Sequence, residues 1–192
     1  RGDYVGITIP RYNSSETLVY PDIPEFPGKH KDLKYNYNTN SFIDQGYFGL
    51  IDSRHELTYS QTLDIIDYIN SNIDAKKSFY TFMGYYLAEG NIMYTNQNGE
   101  RYFSGAELTF KLDEDLVELS KKAIETFLPG KTVSIIRNVE NNSTKVRVFC
   151  KELAIICLFF GKEYSHSKEI HYTLLNNTFT KYLIDAYLAG DG

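Results

Sequence analysis

Two nine-residue stretches decide how this sequence folds: residues 82–90 read FMGYYLAEG, and residues 184–192 read IDAYLAGDG. Each stretch places two small residues four positions apart and ends on an acid followed by glycine; the small residues are Gly84, Ala88, Ala186 and Gly190. Residues at i and i+4 share one face of a helix, and small side chains there let two helix backbones approach closely. The pattern predicts two helices that pack through these four residues.

The acids that close the two stretches are Glu89 and Asp191. Helices packed side by side would bring both carboxylates to the same end of the interface, where they would repel each other unless a hard divalent cation lay between them. Oxygen ligands of this kind suit Mg²⁺ or Mn²⁺. We therefore predict a shared metal site at Glu89 and Asp191. The glycine after each acid predicts a left-handed residue that ends the helix.

The rest of the sequence alternates helical and strand patterns in a regular order. From residue 78 the predicted elements are a helix, two strands, a helix, two strands and a helix, with hairpin turns at 96–100 and 141–143. The second motif then begins a new helix at about 178–190. This order predicts an α+β fold in which an αββαββα unit contains a four-stranded antiparallel sheet.

The N-terminal part is organised differently. Residues 1–11 predict a short strand that ends at Pro10. Residues 12–50 are rich in Asn, Pro, Gly, Ser and Tyr and show neither a helical nor a strand period, which predicts an irregular segment. One helix is expected from about residue 60, and Asn70-Ser71-Asn72 is expected to end it.

Residues 78–192 resemble the LAGLIDADG (dodecapeptide-type) homing endonucleases. Residues 85–91 (YYLAEGN) and 187–192 (YLAGDG) resemble the two motifs, and residues 105–110 (GAELTF) and 168–170 (KEI) fall where that family has comparable segments. The resemblance implies a saddle of two αββαββα repeats that pack through the motif helices and lay their sheets in the DNA major groove.

The resemblance also implies an activity for the paired acids. Glu89 and Asp191 would bind the metal ions that drive phosphodiester hydrolysis by metal-activated water. Glu89 is longer than an aspartate, a difference expected to be tolerated but able to alter the metal geometry. Lys168 corresponds to a basic residue near the scissile phosphate, where it would stabilise developing charge or orient a water. A solvated loop lysine is the alternative, and His171 stands where the family often has proline.

The sequence carries 20 Lys and Arg against 25 Asp and Glu, a net charge of −5, so any DNA-binding surface must be local. The span 131–151 contains five basic residues and one acid. Alternation places Lys145 and Arg147 on one strand face, and predicts the same for Glu107, Thr109 and Lys111. The predicted DNA-contacting residues are Arg101, Lys111, Arg137, Lys145 and Arg147. They would read guanine edges or hold phosphates, and a solvated strand face is the alternative.

Residues 1–11 (RGDYVGITIPR) resemble the strand that closes the first splicing half of an intein, just before its embedded endonuclease. We therefore expect four segments: an intein-like strand at 1–11, a linker or insertion with one helix at 12–77, a first endonuclease repeat at 78–177, and the start of a second repeat at 178–192. On this interpretation the chain is a fragment, inactive or weakly active alone, whose partner is the second repeat of the same protein.

The expected function is site-specific cleavage of double-stranded DNA by an intein-embedded homing endonuclease. The alternative is a non-catalytic or RNA-binding relative, either a decayed endonuclease or an intron maturase. No apolar stretch approaches the roughly 20 residues needed to span a bilayer, and the N-terminus lacks the build of a signal peptide. We therefore expect a cytoplasmic protein with no membrane partner.

Overall fold

The computed structural model describes residues 17–18, 33–36, 41–44, 53–97, 100–112, 115–162, 168–175 and 177–191. Within these ranges, the side chains of 33–36, 41–44, 53–60, 96–97 and 100–102 lie outside the description. The elements are β1 (Leu33–Asn36), β2 (Ser41–Asp44), α1 (Ser53–Ser71), α2 (Ile73–Glu89), β3 (Gly90–Gln97), β4 (Glu100–Lys111), α3 (Asp115–Phe127), β5 (Val133–Asn138), β6 (Ser143–Val148), α4 (Lys151–Gly161), a 3₁₀ turn (Tyr172–Leu174) and α5 (Thr180–Asp191). The predicted α+β class is confirmed.

The main sheet has four antiparallel strands in the order β3-β4-β6-β5, so the two hairpins join through β4 and β6. Alternation along these strands divides the side chains between two faces. Leu108, Phe110, Val146 and Val148 are buried and face the helices, because α2 and α4 contact β4 and α3 contacts β6. The other face is open, and the predicted four-stranded antiparallel sheet is confirmed.

Helix α2 lies at the centre of the core. Its buried residues point in every direction around the helix axis, and it contacts α1, α3, α4 and α5 as well as the sheet. Phe79, Phe82, Phe127 and Phe160 form part of an aromatic cluster around it, with ring centroids 5.2–5.7 Å apart. A helix that is apolar on all sides requires such enclosure. Within the described ranges, no helix is long and apolar enough to cross a membrane.

The start of α2 differs from the prediction. Asn72 follows the last residue of α1, as predicted, but it is also the N-cap of α2, and its side-chain oxygen accepts from the backbone N–H groups of Asp74 and Ala75 at 3.0 Å. The helix therefore begins at Ile73 rather than at residue 78, and the boundary predicted between 77 and 78 falls inside it. An Asn side chain satisfies the unpaired N–H groups of a first helical turn, so one residue both separates the helices and starts the second.

The segment before α2 also contains more regular structure than predicted. Residues 33–36 and 41–44 pair as a two-stranded antiparallel ribbon inside the span expected to be irregular. Helix α1 begins at Ser53 rather than near residue 60. The strand predicted at 1–11 lies outside the described residues.

Leu18, in the segment that precedes α1, is bound to the helices. Leu18 is buried in the core, and the side-chain amide of Asn70 bonds its backbone twice, accepting from Leu18 N–H at 2.9 Å and donating to Leu18 C=O at 3.0 Å. The Asn70 amide thus makes the two backbone hydrogen bonds with Leu18 that a neighbouring strand would otherwise make. Because both backbone groups of Leu18 are satisfied, its side chain can enter the core without a cost in lost hydrogen bonds.

Candidate functional site

Helices α2 and α5 pack through the small residues that the motifs supply. A Cβ on Gly84 would overlap with the carbonyl oxygen of Leu183 and lie 2.7 Å from the Cβ of Ala186. One turn further along both helices, a Cβ on Gly190 would lie 2.9 Å from the Cβ of Ala88. The two contacts follow the same order along both helices, so the helices run parallel with their backbones close together. The structure therefore brings all four predicted interface residues into one contact.

This parallel packing places Glu89 and Asp191 at the same end of the helix pair. Each is the last residue of its helix, and a Cβ on Gly190 would lie only 3.8 Å from the Cγ of Glu89. Glu89 is half-buried and Asp191 is exposed. Both helix C-termini carry partial negative charge from their carbonyl groups. The parallel packing therefore brings two acidic residues and two helix C-termini to one end of the interface.

The backbone after Glu89 differs from the prediction of a left-handed glycine. Gly90 is extended, with φ −90° and ψ 153°, so α2 passes directly into β3. Glycine is needed here for space, because a Cβ would overlap with the ring and the carbonyl oxygen of Tyr86. The equivalent Gly192 lies outside the described residues.

Lys168 joins the same end of α2. Its Nζ donates to the carbonyl oxygens of Tyr86 at 2.6 Å and Gly90 at 2.7 Å, and it lies 5.0 Å from the centroid of the Tyr86 ring. The Tyr86 carbonyl, which also accepts from the Gly90 N–H, lies in the last turn of α2, so these bonds hold the Lys168 ammonium at the C-terminal end of that helix. Burial lowers the pKa of Lys168 to about 8, opposed by the charges of Cys157 and Glu89. This position differs from that of a solvated loop lysine and places a cation beside the paired carboxylates.

The donor set at this end fits a hard cation rather than zinc. The part of the chain that the structure describes contains no group of three or more His, Cys, Asp or Glu side chains arranged to hold a metal. Structural zinc requires about four such ligands, whereas Mg²⁺ is commonly held by one or two carboxylates with waters and substrate phosphate completing its coordination. Glu89 and Asp191 would supply two oxygen ligands of the kind that Mg²⁺ prefers.

The open face of the sheet carries polar residues in cross-strand rows. Glu107, Arg147 and Ser134 form one row across β4, β6 and β5, and the next row holds Thr109, Lys145 and Ile136. Lys111 follows on the same face of β4 and is exposed. The predicted alternation is thus present, and Lys111, Lys145 and Arg147 share one surface.

Arg137 and Arg101 are placed differently from these three cations. Arg137 pairs with Thr144, which is buried, so the register sets Arg137 on the helix side of the sheet rather than on the open face. Its position at the outer strand β5 keeps it exposed. Arg101 pairs with Asn96 near the β3–β4 turn, and its side chain lies outside the described part of the chain. The predicted basic residues therefore do not form one continuous stripe.

Glu107 is a site residue whose role the sequence did not reveal. Its buried carboxylate accepts from Lys145 Nζ at 2.8 Å and from Arg147 Nε. Burial alone would raise the pKa of Glu107, but the hydrogen bonds and positive charges of Lys145 and Arg147 outweigh it and lower that pKa. The carboxylate is therefore ionised at neutral pH and offsets one of the two cations.

His171 follows the segment of residues 168–170, and its burial predicts that the stability of the protein depends on pH. The His171 ring is buried against Phe159 and Tyr172, with centroids 4.4 and 4.5 Å away, and burial lowers its pKa from 6.5 to about 4. The folded state therefore holds neutral imidazole, while the unfolded chain takes up a proton below pH 6.5. Its contribution to stability is present above pH 6.5 and is lost as the pH falls towards 4, by roughly 2–3 kcal/mol.

Chemical denaturation of the wild type and His171→Gln between pH 7.5 and 4 measures this loss. We expect the wild type to lose roughly 2–3 kcal/mol more free energy of unfolding than the variant over this range. Parallel pH profiles for the two proteins would contradict the assignment of the effect to His171.

No protein-family model matches the sequence, and no curated protein matches it. What the chain does must therefore be inferred from the geometry at the ends of α2 and α5, from the open sheet face, and from the motifs that build them.

Proposed function

We propose that this chain is part of a metal-dependent, site-specific double-strand DNA endonuclease of the LAGLIDADG type. The observation that carries the proposal is the close parallel packing of α2 and α5, which sets Glu89 and Asp191 at one end of a two-helix interface, with Lys168 beside Glu89. The αββαββα order of α2 through α4, followed by α5, supports it.

Each residue at the helix ends has a distinct part in this proposal. Glu89 and Asp191 would hold Mg²⁺ or Mn²⁺, and the bound ion would lower the pKa of a water and neutralise phosphate charge. Lys168 stands beside them as a fixed cation whose ammonium is held by two carbonyl groups. Its role is to stabilise negative charge on the phosphate as the P–O bond breaks.

The open sheet face is the proposed DNA surface. Lys111, Lys145 and Arg147 lie on it, and side chains on a strand face of this kind can reach base edges in a major groove. Arg137 lies on the helix side of the outer strand β5, and its role is to contact phosphates at the edge of the sheet. The negative net charge of the chain restricts attraction of DNA to this face.

A second repeat is the proposed intramolecular partner. The outer side of α5 exposes an apolar stripe at Ile184, Tyr187 and Leu188, and Leu188 is 63% exposed. These positions follow helical spacing, so they form one exposed face beside the contact with α2. Burial of this stripe under a second sheet would complete the core around α5. We place the repeat in an intein because of the resemblance of residues 1–11.

Selection from two nucleic-acid pools tests the proposal. The protein is incubated with Mg²⁺ and either a random-sequence DNA duplex library or an RNA pool of the same sequences, and the retained molecules are sequenced. We expect enrichment of one DNA site, and the enriched duplex should be cut on both strands by the form that carries both repeats. Preferential enrichment of structured RNA would instead support the maturase alternative, and no enrichment from either pool would overturn both.

A further inference from the structure

An acidic side chain lies between two basic ones on the open face of the sheet. Glu107 on β4 stands opposite Arg147 on β6, and both the Lys145 ammonium and the Arg147 guanidinium donate to its carboxylate. The side chains of Lys145 and Arg147 retain 35% and 31% of their exposure, whereas that of Glu107 retains 10%. The carboxylate is therefore beneath the two cations, and the cations form the accessible layer.

The bond to Arg147 uses one particular part of the guanidinium. Glu107 accepts from Nε, which leaves the two terminal Nη groups outside this bond. These two groups are the ones that meet O6 and N7 of a guanine in a bidentate contact. Lys145 likewise gives one of its three N–H donors to Glu107. Each cation is thus fixed at one side and keeps donors for a ligand.

The cross-strand neighbours of Arg147 and Lys145 on β5 and β4, apart from Glu107, are uncharged, so they do not form ion pairs with these donors. Ser134 stands opposite Arg147 on the β5 side, and Thr109 and Ile136 flank Lys145. A long basic side chain on an exposed strand ordinarily loses rotamer freedom when it binds a ligand. The two bonds to Glu107 remove part of that freedom before any ligand arrives.

We propose that Glu107 is a positioning residue that makes Lys145 and Arg147 a fixed pair for reading base edges, with Arg147 directed at guanine. The inference rests on the proposed DNA-binding function, and it names the residues that make this binding depend on the DNA sequence. Without Glu107, the same two cations would have more net charge and more freedom, which favours phosphates of any sequence over the edge of one base.

The experiment compares Glu107→Gln with Glu140→Gln in the full chain. Glu140 is an exposed residue of the β5–β6 turn, so its replacement removes the same charge from the sheet region of the chain without touching the two cations. Each protein is used to select from a random-sequence DNA duplex library, and its affinity for an unselected duplex is measured at several salt concentrations. We expect Glu107→Gln to lose a guanine preference by at least about fivefold while Glu140→Gln keeps it.

The outcomes separate this inference from the function on which it rests. If the wild type enriches no duplex sequence, the proposed function fails and the inference fails with it. If the wild type enriches a site and Glu107→Gln enriches the same site equally well, only the inference is overturned. An equal loss of preference in both variants would also overturn it, because bulk charge would then explain the effect.

A second variant keeps the test sharp if Glu107→Gln folds poorly. Arg147→Lys retains the positive charge but lacks the guanidinium fork. We expect it to lose the same guanine preference as Glu107→Gln, because a lysine cannot make the bidentate contact. Retention of that preference in Arg147→Lys would overturn the assignment of Arg147 as the reading residue.

Discussion

Replacing Glu89 by glutamine is expected to reduce DNA cleavage by roughly 10²–10³-fold or more in any form of the protein that cleaves, with duplex affinity nearly unchanged. The substitution keeps the size of the side chain but removes one of the two negative charges at the paired helix ends. A single electrostatic group in an active site contributes on this scale. Cleavage is measured under single-turnover conditions with Mg²⁺ in excess, and affinity by fluorescence anisotropy with a labelled duplex.

Two comparisons make this prediction specific to the helix ends. Asp191→Asn should reproduce the loss, whereas Asp185→Asn, which changes an exposed acid earlier in α5, should cleave at the wild-type rate. Chelation should stop the wild-type reaction, and added Mg²⁺ should restore it. A Glu89→Gln protein with full activity would refute the metal assignment, whatever the behaviour of the other variants.

The second large effect concerns the packing of the helices rather than their chemistry. Gly84→Val is expected to lower the free energy of unfolding by about 3 kcal/mol or more, because a Cβ at this position overlaps with the Leu183 carbonyl and a backbone cannot yield as a side chain can. The helices would have to separate, and α5 would lose its main contact. Urea denaturation gives the free energy, and hydrogen exchange of residues 180–191 reports on the detachment of α5.

A matched variant separates this clash from the general effect of adding valine to a helix. Gln61→Val places the same side chain on the exposed side of α1 and should change stability by no more than about 0.5 kcal/mol. Equal stability of Gly84→Val and the wild type would contradict the close approach of α2 and α5. Loss of cleavage without loss of stability would indicate that Gly84 acts on the site alone.

The elements with strong local signals could be predicted from the sequence. Val146 and Val148 alternate with Lys145 and Arg147, and this period of two identifies a strand with one buried face. The spacing of Gly84 and Ala88 identifies a helix face that accepts a close neighbour. These signals are contained in a few adjacent residues, so tertiary structure had little opportunity to override them.

Features that depend on distant backbone groups left no such signal. Lys168 bonds to carbonyl oxygens of Tyr86 and Gly90, and carbonyl groups are the same in every residue type. The pairing of Glu107 with Arg147 depends on the register of β4 against β6, which follows from the strand order β3-β4-β6-β5. The register of β5 against β6 places Arg137 away from the open face, although its charge suggested that it would lie there.

Local ambiguity explains the remaining differences. Asn72 suits both the end of one helix and the beginning of the next, and its bonds to Asp74 and Ala75 show that it also starts α2. The ribbon of β1 and β2 has strands of four residues, too short for alternation to be apparent. Gly90 follows the helix as predicted but is extended, and it provides room for Tyr86 rather than a left-handed turn.

The burial of α2 has a consequence for the protein while it is being made on the ribosome. Helix α2 ends at Glu89, but the helix that covers its small-residue face begins only at Thr180. At roughly 5–20 residues per second, that face emerges several seconds before its partner does. During this interval its apolar side chains are exposed to other nascent chains. Chaperone binding to stalled chains that end before residue 180 should therefore exceed binding to chains that extend well past residue 191.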